Sequence, residues 1–173
     1  FCQCLQDPNL ARTSDEAFGP PVSDRMEHHH VSAGSFFVGS RQPLVVEAYL
    51  ATCVGIVLVD ETHGVGGLAH FLLPEPVGLS GTFQPEKYAA TGLPLFLQAL
   101  AEAGARSDRL QATLAGGALI GPVDEMDISL NIGGRTAETA EAILHRAGIP
   151  LVKAETGGVM ACCLSLDMRS LHC

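Results

Sequence analysis

From residue 31 to residue 74 the chain is written in short runs of β-branched, aliphatic and aromatic residues, each broken by glycine or a polar group. The runs cover 31–38, 44–50, 54–59 and 68–73. They have the length and composition of strands, so an all-helical fold is excluded. Pro74 stops the last run, and 75–85 has the Pro, Gly and Ser content of a surface loop. The period then changes. Tyr88, Leu93, Leu97 and Leu100 recur at helical spacing across 86–103, with Gly104 as the stop and Pro94 marking either a kink or the true start. A strand at 110–115 runs into Gly116-Gly117. A second helix is predicted over 137–147, with Thr136 as N-cap and Gly148 and Pro150 as its stop. Strands at 151–154 and 161–167 close the order. Strands first, then helices interleaved with strands, give a mixed α/β fold in which helices cover sheet faces.

A chain of 173 residues with 47% hydrophobic content can bury one ordinary core. Residues 31–173 are therefore expected to form a single domain. Residues 1–28, rich in Asp, Pro, Ser and Arg, are expected to be a flexible extension that ends in a solvated patch at His28, His29 and His30. The net charge is −9, no run of Lys or Arg occurs, and there is no Trp and only two Tyr. Such a surface offers no footprint for nucleic acid or an anionic membrane. No apolar run approaches a bilayer span, and the Phe1 end lacks the basic-then-apolar order of a signal peptide, so the chain is expected in the cytoplasm, not inserted in a membrane. Cysteines at 2, 4, 53, 162, 163 and 173 show no C-x-x-C spacing. Cys2 and Cys4 with His28, His29 and His30 match no zinc template, and neither a metal nor a cofactor is expected.

The chemistry is expected at the central hairpin. Asp60-Glu61-Thr62-His63 reads as a four-residue loop followed by Gly64. If Val59 faces Gly64, the constant sum of facing residues in an antiparallel ladder sets Cys53 opposite His70. Directly opposed Cβ atoms lie about 4.5–5.5 Å apart, within reach of a thiol–imidazole hydrogen bond. A one-residue slip would send the two to opposite faces. The chemistry asks for such a pair because a free thiol is mostly protonated at neutral pH, and an adjacent imidazole can take its proton. Thr52, beside the cysteine, and Gly67 are expected substrate contacts. Gly55, Gly66 and Gly67 are read as open backbone that admits a substrate side chain or offers N–H donors to an oxyanion. Taken singly, Cys53 also suits an inert buried cysteine and His70 a structural histidine.

The ordered series Thr52-Cys53-Val54-Gly55, Gly67-Leu68-Ala69-His70-Phe71-Leu72-Leu73-Pro74, Lys87-Tyr88-Ala89, Gly116-Gly117-Ala118, Asn131-Ile132-Gly133-Gly134-Arg135 and Glu155-Thr156-Gly157-Gly158 resembles the CheD family of chemoreceptor glutamine deamidases. The resemblance covers residues 31 to about 170. It implies two mixed β-sheets packed together with helices on the outside. It also implies hydrolysis of glutamine side chains in the cytoplasmic helices of chemotaxis receptors, giving glutamate and ammonia without a cofactor, and binding to a CheC-type phosphatase. Cys53 would be the nucleophile and His70 the base.

This chain departs from the family pattern in places. Six residues before the cysteine, where the family has a threonine, stands Glu47. A carboxylate there is expected either to orient His70 as a third catalytic residue or to be a solvated strand-edge charge. Met160, Cys162 and Cys163 replace the basic residues usual after the Gly-Gly motif. The alternative to a deamidase is a binding module of the same fold that only docks on the phosphatase or on receptor helices. A metal- or redox-responsive role using Cys2, Cys4 and His28–His30, or the pair Cys162 and Cys163, is a third reading.

Overall fold

The protein is described here by a computed structural model covering residues 3–4, 26–76, 83–121 and 130–173. Among the described residues nine strands form two mixed sheets. The strands are β1 (Gln3–Cys4), β2 (Glu27–His30), β3 (Ser35–Ser40), β4 (Leu44–Leu50), β5 (Val54–Asp60), β6 (Val65–Phe71), β7 (Gln111–Gly116), β8 (Leu151–Thr156) and β9 (Cys162–Asp167). The four-stranded sheet runs β1-β9-β4-β2 and the five-stranded sheet β3-β6-β5-β7-β8. Among the described strands, β2 pairs parallel with β4 and β7 with β8, and the other pairings are antiparallel. Two helices are described in full, α1 (Ala89–Glu102) and α2 (Ile132–Arg146). The mixed α/β architecture with two packed sheets thus holds.

Two cores lie on either side of the five-stranded sheet. Val46, Ala48 and Leu50 of β4 meet Val57, Leu68, Leu164 and Leu166 between the sheets. On the outer face Leu93, Phe96 and Leu100 of α1 and Ala137, Ala140 and Leu144 of α2 cover Val54, Ile56, Leu58 and Phe71. Each large side chain so buried stabilises the fold by about 1.5–3 kcal/mol. β5 and β6 are covered on both faces and are buried throughout, which is why they read as continuous apolar runs. β4 has one face on a core and alternates, with Glu47 and Tyr49 turned outward.

Three sequence expectations are corrected. First, the hairpin turns over residues 61–64, so Asp60 faces Val65 and Gly55, not Cys53, faces His70. The ladder is displaced by two residues, which keeps every side chain on its predicted face. Asp60 sets this register: its carboxylate accepts from the His63 N–H at 3.0 Å and lies 2.7 Å from His63 Nδ1. Gly64, at φ 68°, completes the turn instead of opening β6. Second, α2 begins at Ile132, and Thr136 is buried inside it, its hydroxyl donating to the Ile132 carbonyl at 2.7 Å; the residue before the helix is Asn131, at φ 36°. Third, α1 runs through Pro94 from Ala89, behind a short 3-10 turn at Pro85–Lys87. Most of the expected 1–28 extension lies outside the described residues. Within it, Gln3 and Cys4 pair with β9, and Glu27 and His28 with β4.

Candidate active site

The chain crosses from the four-stranded to the five-stranded sheet in three residues, Ala51, Thr52 and Cys53, between β4 and β5. That crossing is tied down from outside. Gly117 N–H donates to the Cys53 carbonyl at 2.8 Å and Ala118 N–H to the Ala51 carbonyl at 2.9 Å. Gly116 has φ 100°, and a Cβ there would stand 2.3 Å from the Cys53 carbonyl oxygen, so only glycine fits. Cys53 is half-buried and Thr52 exposed. Burial pushes the Cys53 thiol above its ordinary value, and the Thr52 side chain and the cysteine's own backbone N–H draw it partly back.

His70 sits in β6, facing Gly55 on one side and Ser35 on the other. It is 4% exposed. Its Nδ1 lies 3.1 Å from the Val31 carbonyl oxygen. A carbonyl only accepts, so the Nδ1 proton is fixed there and the lone pair is left on Nε2. Nε2 is buried and has no hydrogen-bond partner among the described residues. Burial lowers the pKa of the ring, the Val31 carbonyl raises it and the neighbouring His30 lowers it further; the balance is downward. The resting imidazole is therefore neutral with an unused acceptor. The β5–β6 ladder begins at Val54 opposite Phe71, so Cys53 stands just outside it, two residues before Gly55, which faces His70. No hydrogen bond joins the thiol and the imidazole at rest among the described residues.

The remaining expected site residues are placed differently. Glu47 points to the outer face of β4, its carboxylate 3.4 Å from both His28 Nδ1 and the Tyr49 hydroxyl. The structure does not bring that carboxylate to His70. The connection runs through backbone instead: Val31 N–H donates to the Glu47 carbonyl at 2.8 Å, and the Val31 carbonyl holds His70. Gly67 lies on the helix side of β6, where a Cβ would meet the Phe37 carbonyl oxygen at 2.4 Å and the Phe96 ring at 2.8 Å. It is a packing glycine rather than an opening for substrate. Gly55 is the same: its missing Cβ makes room for Leu50 and Leu164, each at 2.8 Å. Thr52 alone of the expected substrate contacts stays beside Cys53.

Two clefts open next to the crossing. One, of about 480 Å³, is lined by Gly116, Thr156, Gly157, Gly158, Met160 and Cys162 among others. The second, of about 340 Å³, shares residues 156–158 with it and reaches Asn131 and Gly134 at the start of α2. Neither includes Cys53 or His70 in its lining; the first adjoins them through Gly116. Gly157 N–H donates to the Gly116 carbonyl at 2.9 Å, and Gly133 abuts Gly117 so closely that a Cβ would be 2.6 Å from its Cα. The glycine motifs thus converge on the crossing that carries Cys53. The Val31 carbonyl was not legible in the sequence, since a backbone acceptor leaves no side-chain signature. Among the described residues no cluster of His, Cys, Asp and Glu suits a metal ion, and no helix is long and apolar enough to cross a membrane. Cys2, part of the metal reading considered above, lies outside the described residues.

Comparison with known proteins gives the family. The family model for CheD, chemotactic sensory transduction, matches residues 72–173, beginning just beyond His70. A probable chemoreceptor glutamine deamidase CheD of Pyrococcus abyssi is 39% identical over 140 residues, covering 81% of this chain and 85% of its own. A stretch of that length in 173 residues includes 34–140 wherever it starts, so Cys53 and His70 lie inside it. A second relative of the same name, from Desulforamulus reducens, is 35% identical over 141 residues, 81% of this chain and 84% of its own. The solved Neisseria meningitidis protein NMB0706 aligns over 80% of this chain and 73% of its own, with 12% identity and a TM-score of 0.47. By the family match and by these relatives, the chain belongs to the CheD family.

Proposed function

We propose that this protein hydrolyses the side-chain amide of glutamine residues in chemoreceptor cytoplasmic helices, with Cys53 as nucleophile and His70 as general base. The observation that carries the reading is the state of His70: Nδ1 is fixed on the Val31 carbonyl, and the Nε2 lone pair is buried and unpartnered among the described residues, in the strand paired with the one that follows Cys53. A buried unsatisfied acceptor costs about 1–3 kcal/mol, so a native structure that keeps one commonly uses it. The names of the relatives supply the substrate class.

In this mechanism His70 Nε2 takes the Cys53 proton as sulfur attacks the carboxamide carbon. The tetrahedral adduct collapses when the imidazolium returns that proton to the nitrogen, and ammonia leaves. Water then attacks the thioester carbon, losing a proton to Nε2. Breakdown of the second adduct frees the glutamate and restores the thiol. Because Cys53 is shifted up and His70 down, the resting pair is neutral and the proton moves with the attack. Glu47 serves the site through its carbonyl, by seating Val31. No cofactor enters any step, and substrates of this class place the protein in the cytoplasm.

A second reading keeps the fold and drops the chemistry: a module that docks on a CheC-type phosphatase or on receptor helices. The absence of a resting Cys53–His70 hydrogen bond favours it. Mass-spectrometric detection of glutamine-to-glutamate conversion in receptor cytoplasmic fragments decides between them. Conversion supports the deamidase. Binding without conversion across several fragments, or binding to the phosphatase alone, overturns it.

A further inference from the structure

The turn between β2 and β3 holds His70 at more than one point. Val31 is buried in the core between the sheets, its N–H donates to the Glu47 carbonyl, and its own carbonyl carries His70 Nδ1. Three residues on, Gly34, at φ 77°, donates its N–H to the His70 carbonyl at 2.8 Å. Ser35 then faces His70 directly in the β3–β6 ladder. The turn closes on the Ser32 carbonyl, which accepts from the Ser35 N–H at 3.1 Å and from the Ser35 hydroxyl at 2.6 Å. Residues 31–35 thus clasp both the ring and the backbone of His70, and the Ser35 hydroxyl is a side-chain group that shuts the clasp.

Resting on the reading of His70 as general base, we propose that Ser35 is a positioning residue for that base. Its hydroxyl holds the turn so that the Val31 carbonyl keeps the ring proton on Nδ1 and the lone pair on Nε2. A serine hydroxyl that donates to a backbone carbonyl three residues back fixes the local chain. The peptide plane held in this way is the one next to the plane whose oxygen meets Nδ1. Val31 is anchored from the β4 side by Glu47 and by the core, and the Ser35 bonds anchor the turn from the β3 side. The hydrogen bond made by one ring nitrogen of a histidine decides which nitrogen carries the proton. A ring whose carbonyl partner swings away can carry its proton on Nε2, and that form has no lone pair there to accept from Cys53. Ser35 itself moves no proton. Its loss lowers the fraction of His70 in the competent form, which acts on kcat rather than on KM.

The test reads the tautomer directly, from the nitrogen NMR shifts of the His70 ring at a pH where it is neutral. The unmodified protein is expected to show the proton on Nδ1. Ser35→Ala is expected to raise the share of the other form at least threefold, and Ser35→Thr, which keeps a hydroxyl, to return most of that change. Ser40→Ala, at the far end of the same strand, is expected to leave the spectrum unmoved. In glutamine conversion Ser35→Ala should lower kcat about five- to tenfold, the size of one ordinary hydrogen bond, with KM within about twofold. Ser35 is half-buried and alanine removes only its hydroxyl, so thermal midpoints should show a folded variant. A ring proton on Nε2 in the unmodified protein, a spectrum that Ser35→Ala does not move, or an equal change with Ser40→Ala overturns the proposal. If the tautomer responds to Ser35→Ala but the unmodified protein converts no glutamine, the deamidase reading falls and the hold of Ser35 on the ring stands.

Discussion

Cys53 and His70 sit in surroundings that favour their neutral forms, and this sets two pH responses. The thiol pKa is raised by burial, so iodoacetamide should label Cys53 slowly at neutral pH, with the rate still climbing as pH passes the ordinary thiol value of 9.0. Rapid labelling at pH 6 would show a preformed thiolate and contradict the neutral resting pair. His70 is lowered, so its proton is lost before the ordinary 6.5 is reached. The acid limb of kcat/KM should accordingly lie below pH 6.5. Glu47 gives a sharper residue-level expectation. Its carboxylate faces away from His70, and only its carbonyl supports the site. Glu47→Gln should leave kcat within about twofold, since no proton transfer of the kind worth 10²-fold or more is routed through it. A hundredfold loss would restore it to the catalytic machinery.

At the scale of elements, the β5–β6 hairpin decides which residues can meet, and Asp60 decides the hairpin. It is fully buried and accepts from the N–H groups of His63 and Arg106. Burial pushes its carboxyl up, but these donors and the His63 imidazole outweigh burial and hold it low. A depressed carboxyl contributes stability above its ordinary value of 3.8 and loses it as pH falls through the lower folded value. Asp60→Ala should therefore cost about 1–3 kcal/mol at neutral pH. The gap in thermal midpoint from the parent should narrow in acid below 3.8. Gly67→Ala should destabilise by a similar 1–3 kcal/mol through overpacking against Phe37 and Phe96, with no specific effect on KM; a raised KM at unchanged stability would make it a substrate contact after all. The strand runs were legible because periodicity is written in side chains. The register was not, since an aspartate capping its own turn looks the same in sequence whether it ends the strand or opens the loop. The roles of Gly55 and Gly67 were hidden for a related reason: what a glycine makes room for lies on other elements.

On the scale of the molecule, the short link between the two sheets places Cys53 at their seam, and the glycine turns after β7 and β8 bring the α2 start and two clefts to the same place. The fold thus gathers motifs that are more than a hundred residues apart in sequence at the crossing that carries Cys53. The measurement that tests the central claim most directly is glutamine-to-glutamate conversion in a receptor cytoplasmic fragment, followed by mass spectrometry for the unmodified protein, Cys53→Ala and His70→Ala, with thermal midpoints confirming that both variants fold. The account predicts conversion by the unmodified protein, none detectable with Cys53→Ala, and a loss of about 10²–10⁴-fold with His70→Ala. Conversion that survives in a folded Cys53→Ala protein would contradict it.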